Sequence, residues 1–358
     1  MPRFPILSCL LLAVPVALWA QAERYTLDEG PVAVYNLAGN LRVEPGDAGL
    51  VVQVTRAGQD AGQLKIAQGE IDGRSTLRVL YPGDRVRYGT GRGQGTTTLR
   101  VRDDGTFGDL DDEHDHGRHA HHWEEGRRVT ISDAGGGLDA RADLLVKVPR
   151  GRRVDLFLAV GSVTLTNVDG DIAIDSHNAP VTATGAKGSL NIDVGSGTVR
   201  VSDAQGDLSI DTGSGAVEVS RFRGPALSID TGSGDVTGTE LESEEVAIDT
   251  GSGEIRLTGV SSPRLSLETG SGGVTADLRR DIASLQAETG SGDVAIRAPA
   301  SLGAELDIQT SSGDIETDFP LQVTRQGRDH VVGTIGDGKG TIAIETGSGA
   351  IRLLKNSN

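Results

Sequence analysis

The sequence predicts an all-β protein: a single-stranded parallel β-helix, or β-solenoid, of about 19 residues per turn, with an N-terminal β cap. Three observations carry the prediction. A short phrase of residues recurs at a fixed period, apolar residues alternate inside it, and glycines punctuate it. Composition agrees, because 51 glycines and only 3% aromatic residues suit a narrow coil filled with aliphatic side chains.

The phrase is clearest in Leu208-Ser-Ile210-Asp211-Thr-Gly213-Ser-Gly215-Ala-Val217. It returns from Leu227, Val246, Leu265, Leu285 and Ile342, and its first glycine recurs at 213, 232, 251, 270 and 290. Leu208 and Ile210, then Val217 and Val219, alternate with polar residues, which puts each pair on one face of a strand. Strand, Gly-Ser-Gly bend, strand and second bend make one turn. The repeat corners Gly195, Gly213, Gly232, Gly251, Gly270, Gly290 and Gly347 are expected to supply backbone angles that a side chain forbids. A third apolar position follows on the return segment: Ala204, Phe222, Leu241, Val260 and Leu302. A helix is excluded because Gly-Ser-Gly interrupts each segment after about five residues.

Taken in order, residues 1–22 read as a secretory signal peptide. Arg3 is the basic start, Phe4 to Leu18 the apolar run, and Ala20-Gln-Ala22 a small-x-small cleavage site. The run is short for a membrane span, and Cys9, the one cysteine, lies within it. The expectation is a mature chain without disulfides, periplasmic or secreted, with no integral membrane segment after cleavage. The net charge of −17 becomes −18 on losing Arg3, which argues against nucleic acid and anionic membranes as partners.

Residues 23–150 read as N-terminal strands and cap, forming one continuous domain with the coil of 151–358. Within them Val32 to Val43 is a degenerate repeat with Gly39 at its corner. A mobile insertion is expected at about 82–128, rich in Gly, Asp and His. Weaker repeats begin at Ile172, with His177-Asn178-Ala179 at the corner, at Leu190, and at Leu306, with Ser311 for the first glycine. An excursion of the chain near Thr324 to Lys339 separates that copy from Ile342, which is expected to close the coil. The exposed end strands need covers. A right-handed coil is expected from the usual sense of parallel connections.

Nearly the whole mature chain resembles the bacterial "putative adhesin" domain family of unknown function. The resemblance rests on Asn36-Leu-Ala-Gly39-Asn-Leu-Arg-Val43, Val148-Pro-Arg-Gly151, the repeated Thr-Gly-Ser-Gly-x-Val/Ile and Gly333-Thr-Ile-Gly-Asp-Gly-Lys-Gly340. It implies a β-solenoid and an adhesion role, and brings no catalytic residues with it.

Several motifs invite a chemical reading. Asp211-Thr-Gly-Ser214 and its copies at 230 and 249 match the aspartic-protease tetrad, but that chemistry needs two aspartates sharing a proton across a cleft. Here the acid drifts to Glu268, Glu288, Glu345, Gln309 or Val194 in register, so the motif reads as a corner of the coil. Asp193, Asp211, Asp230, Asp249, Glu268 and Glu288 form an outward column in which calcium is a candidate ligand, although the calcium-binding nonapeptide repeat is absent. Arg256, Arg297 and Arg352 on the following strand are candidates for counter-charge. The threonine row 212, 231, 250, 269, 289, 310 and 346 reads as turn capping through the hydroxyls. Five of the seven histidines, His114, His116, His119, His121 and His122, lie among acids and could hold zinc or copper weakly.

Three functions follow. The first is a non-catalytic exported scaffold, adhesin-like, binding an envelope or extracellular protein or glycan. A second is a metal-binding envelope protein using the histidine loop. The third, a carbohydrate-active β-helix enzyme, needs unique residues that break the repeat on adjacent turns. The departures visible in the sequence, His177-Asn178 and Gln309-Thr-Ser311, lie far apart.

Overall fold

Alternating small aliphatic residues fix the architecture. A computed structural model describes residues 22–89, 96–108 and 126–356. Leu208, Ile210, Val217 and Val219 are all buried, and their polar neighbours Ser209, Asp211 and Glu218 are exposed. Each turn pairs in parallel with the next, like on like: Leu190 with Leu208, Leu208 with Leu227, Leu227 with Val246, Val246 with Leu265 and Leu265 with Leu285. The interior is therefore a set of ladders of Val, Ile and Leu, each such side chain worth about 1.5–3 kcal/mol when buried. The third apolar row also points inward, since Ala204, Phe222, Leu241, Val260 and Leu302 are buried.

The coil begins earlier in the chain than its clear repeats. Strand Val32–Pro45 lies parallel to Arg152–Thr166, with Val32 opposite Val154 and Leu41 opposite Val163. Residues 46–151 thus leave one turn and return to start its neighbour. On the outer side of Val32–Pro45, its first half pairs with Arg74–Leu80 and its second half with Arg141–Val148. Leu50–Ala57 and Glu23–Leu27 continue that second side as antiparallel strands, and Lys65–Ile71 continues the first. Buried Asn36 ties these layers together: its amide donates to the Ala142 carbonyl at 2.7 Å, and Tyr81 Oη donates to its Oδ1 at 2.8 Å.

The stretch 82–128, expected as a mobile insertion, carries strands in its described parts. Arg85–Arg87, Thr96–Val101 and Arg127–Ser132 join Leu138–Asp139 in a separate four-stranded sheet. The short apolar alternation Val86, Leu99, Val101, Val129, Ile131 supplies its buried face. From that sheet the chain crosses the coil, placing Phe107 edge-on to Tyr35 and Phe157, whose rings stack at 4.2 Å.

The C-terminal end departs from chain order. Ile342 was expected to close the coil, but strand Gly340–Ser348 lies between two earlier turns, pairing Leu285 with Ile342 on one side and Leu306 with Ile342 on the other. Ala304–Ser312 is consequently the outer turn. Its free edge is taken by antiparallel His330–Ile335, which in turn pairs with Leu321–Gln326. The excursion is that hairpin together with the return beneath it. Glycines make the return possible: Gly336 and Gly338 have φ of 56° and 68°, and a Cβ on Gly340 would overlap the Ile282 carbonyl.

Candidate functional site

Most turns of the coil share a Gly-Ser-Gly corner. The first glycines named from sequence lie over one another: a Cβ on Gly213 would sit 2.7 Å from the His177-row carbonyl of Gly195, and one on Gly232 would sit 2.7 Å from Gly213 O. None of these first glycines has φ between +20° and +160°, so the expected reason for them needs correction: the constraint is the close approach of stacked backbones. Positive φ belongs to the second glycine, at 143° to 156° for Gly197, Gly215, Gly272, Gly292 and Gly349. A Cβ there would overlap the glycine carbonyl of the preceding turn, as for Gly253 over Gly234. The chain shows the difference internally. The first position accepts His177 and Ser311, whereas the second departs from glycine at Ala179.

The threonine row is buried beside this corner. Thr250, Thr269, Thr289 and Thr346 donate to the carbonyls of Gly234, Gly253, Gly272 and Gly292 at 2.9–3.2 Å. The expected capping role is therefore carried out between turns. Thr212 and Thr231 are buried without a hydrogen-bond partner.

The acids do stack in one outward column. Asp175, Asp193, Asp211, Asp230, Asp249, Glu268, Glu288 and Glu345 follow one another in register, with Gln309 last. Burial, and then the neighbouring Asp230, push the Asp211 carboxyl up from its ordinary value. The counter-charge expected from three arginines goes elsewhere. Arg256 pairs with Glu254, Arg297 with Asp277 at 3.4 Å, and Arg352 with Asp293 at 3.2 Å. All three stand on the strand after the glycine bend, on a different side of the coil from the column, so they meet the acids of their own side. Among the described residues no three His, Cys, Asp or Glu side chains converge as a metal-ligand set. The histidine cluster His114, His116, His119, His121 and His122 lies outside the described residues. The Asp-Thr-Gly-Ser tetrads at 211, 230 and 249 form one file of adjacent turns, so they do not face each other across two lobes.

Sequence reasoning missed the third corner, between the second strand of one turn and the first strand of the next. Here charges alternate up the coil. Arg221 grips Asp203 through two contacts of 2.6 and 2.7 Å. Arg223 reaches Glu242 at 2.7 Å, and Arg279 reaches back two turns to Glu240 at 3.3 Å. Opposite charges at offsets of 18 and 19 residues, as in Asp203/Arg221 and Arg223/Glu242, were the available signal.

Crystal structures of a "putative cell adhesion protein" from Clostridium sporogenes ATCC 15579 and a "putative adhesin" from Parabacteroides merdae ATCC 43184 are similar to this chain. The first is 9% identical, covering 94% of this chain and 99% of that one, with a TM-score of 0.24. The second is 11% identical, covering 94% and 96%, with a TM-score of 0.36. No curated protein matches the chain. The family described as Toastrack DUF4097 matches residues 140–354, more than half of the 358 residues. That span holds the Val148-Pro-Arg-Gly151 turn, every clear Gly-Ser-Gly repeat and the closing glycine motif, and it bears out the resemblance read from them. The chain belongs to the Toastrack DUF4097 family.

Proposed function

We propose that the chain is an exported, non-catalytic β-solenoid of the cell envelope, periplasmic or secreted, that binds an envelope or extracellular protein or glycan. We read the coil as right-handed, from the usual sense of parallel connections, with strands 23–80 covering its first edge and a turn near nineteen residues, which pairing intervals of 18 to 20 residues support. The observation that carries the functional reading is repetition itself. The strand faces present the same residue turn after turn, as in the acid column from Asp175 to Glu345, which suits an extended contact surface. Catalysis needs the opposite: a unique nucleophile, acid or base held against its partners at one place. No helix among the described residues is long and apolar enough to cross a membrane.

Two measurements test this. Expressed full-length in a Gram-negative host, the protein is expected in the periplasmic or culture fraction with Glu23 as its first residue by mass spectrometry. Retention in the cytoplasm with residues 1–22 intact overturns export. Immobilised mature protein is then exposed to purified peptidoglycan sacculi, outer-membrane vesicles and a panel of extracellular-matrix proteins. Saturable binding to one of them supports the scaffold, and no binding to any overturns it.

A further inference from the structure

At the third corner the coil breaks its own pattern on adjacent turns. The third corner is a column of residues in the left-handed region: Asn167, Gly185, Asp203, Arg221, Glu240 and Gly259, with φ between 52° and 73°. Glycine, asparagine and aspartate tolerate that region, whereas arginine and glutamate sit there at a cost. Gly185 and Gly259 show that glycine serves the backbone at this corner. Arg221 and Glu240 are therefore placed for their side chains and against local preference, a pattern that collects at functional sites.

Two more irregularities fall beside them. Gln205 pairs with Arg223, 18 residues on, yet Leu208 pairs with Leu227, 19 on, so the coil takes in one extra residue next to Gly224 and Pro225. Such bulges are frequent beside binding sites. One turn beyond Glu240, Gly259 has no side chain, and the Arg279 guanidinium occupies the space a Cβ would need, which lets it cross to Glu240. Between these features lies a cleft of about 350 Å³ lined by Asp203, Arg221, Arg223, Glu240, Glu242 and Arg279, with buried Phe222 and Leu241 beneath. That volume is at the small end of ligand sites.

The chemistry of the walls selects the ligand. Three guanidinium groups offer donors and three carboxylates offer acceptors, and their formal charges cancel in a chain of net charge −17. The six side chains are 47–72% exposed, so a ligand can reach them, and exposed ion pairs exchange partners at little cost. Neutral hydroxyl groups, which both donate and accept, match such a wall without leaving a charge unbalanced. A peptide would want apolar pockets or a free strand edge, and this corner offers neither: Phe222 and Leu241 are about 1% exposed, and Phe222 pairs along the coil with Leu241.

We propose that the cleft at Arg221, Arg223, Glu240, Glu242 and Arg279 binds a neutral, hydroxyl-rich glycan segment. The proposal rests on the scaffold reading and gives it a ligand class and a place.

The test is a printed array of neutral, uronic-acid and sulfated oligosaccharides, probed with the mature wild type and the variants Glu240→Gly, Arg279→Gln and Asp249→Asn. Glu240→Gly adopts the backbone already seen at Gly185 and Gly259, so it folds, and its melting temperature is expected to match or exceed wild type. Wild type and Asp249→Asn are expected to bind neutral glycans, with affinity falling roughly tenfold or more in Glu240→Gly and Arg279→Gln as charge-assisted hydrogen bonds are lost. Equal glycan binding by all four proteins overturns the cleft and leaves the scaffold standing. Binding confined to acidic glycans, or to a matrix protein in the panel above, overturns the neutral-glycan assignment alone. Wild type that binds neither glycans nor the envelope and matrix panel removes both readings.

Discussion

Two corners of the same coil obey different rules. At the Gly-Ser-Gly corner the backbones of successive turns touch, and a Cβ on Gly234, Gly253 or Gly272 would overlap the carbonyl of the glycine below. At the third corner the backbone takes up positive φ but the side chains stand clear in solvent, and Asp203, Arg221 and Glu240 are all accommodated. The Gly-Ser-Gly corner restricts side chains by space, departing from glycine only at His177, Ala179 and Ser311 among its repeats from Ile172 onward, and the third corner merely discourages them by conformation. Variation can therefore accumulate at the third corner without dismantling the stack. That is where the ion pairs and the cleft occur.

The sharpest test of that contrast is a pair of glycine substitutions. Gly253→Ala forces a Cβ onto backbone that cannot move without disturbing both neighbouring turns, and it is expected to cost about 3 kcal/mol or more. Gly232→Ala, whose Cβ would stand 2.7 Å from one carbonyl, should cost less, about 1–2 kcal/mol. Chemical denaturation of both variants reads the difference. Equal losses at the two sites would mean that the corner behaves as a unit and that the distinction between its glycines is empty.

Much of this fold was legible because each turn is encoded locally. Alternating Leu208/Ile210 and Val217/Val219, repeated at a fixed interval, specifies strand, face and neighbour together. The order of the last turns was not legible for the same reason. Leu306 and Ile342 are equivalent candidates to partner Leu285, and the local pattern does not choose between them; Ile342 takes the place, and Ala304–Ser312 lies outside it, edged by the hairpin. The strands Arg85–Arg87 and Thr96–Val101 were hidden by low apolar content, since the buried face of the first rests on Val86 alone. At the candidate site, the acid column could be read directly. The ladder Asp203–Arg221 and Glu240–Arg279 could not, because it lies in the variable part of each repeat and one member reaches across two turns.

The threonine row gives a smaller effect within the tightly packed corner. Thr269 donates to Gly253 O at 3.0 Å, and Thr269→Val is expected to lose about 1 kcal/mol with that bond. Thr231 is equally buried and has no partner, so Thr231→Val should be neutral or slightly stabilising, as burying an unpaired hydroxyl is unfavourable. Val194, read from the sequence as replacing the acid, instead pairs with Thr212, while Asp193 holds the acid position of its turn; the threonine position therefore already accepts a valine. Thermal melts of the two variants side by side distinguish a row used for bonding from one used only to fill space.

The smallest expected effect compares two carboxylates with opposite shifts. Asp211, in the column of like charges, has its carboxyl raised by burial and then by Asp230. Asp293, on another side, is held low first by the backbone N–H of Ala350 and then by Arg352. A carboxyl raised in the folded state binds more protons there than in the unfolded chain, so its ionisation weakens the fold as pH rises through the folded value. Asp211→Asn should therefore raise the melting temperature slightly at pH 7, and the gain should vanish below the ordinary carboxylate value of 3.8. Asp293→Asn should do the reverse: the native carboxylate contributes stability above its unfolded value, and that contribution is lost as pH falls through its lowered folded value. Both groups are largely exposed, so solvent screens the effects and they should be read as differences between variant and wild type at each pH. Shifts of the same sign for both variants would show that the column and the paired acids are electrostatically alike, and would undo the distinction between stacked and alternating charge on which the comparison of surfaces depends.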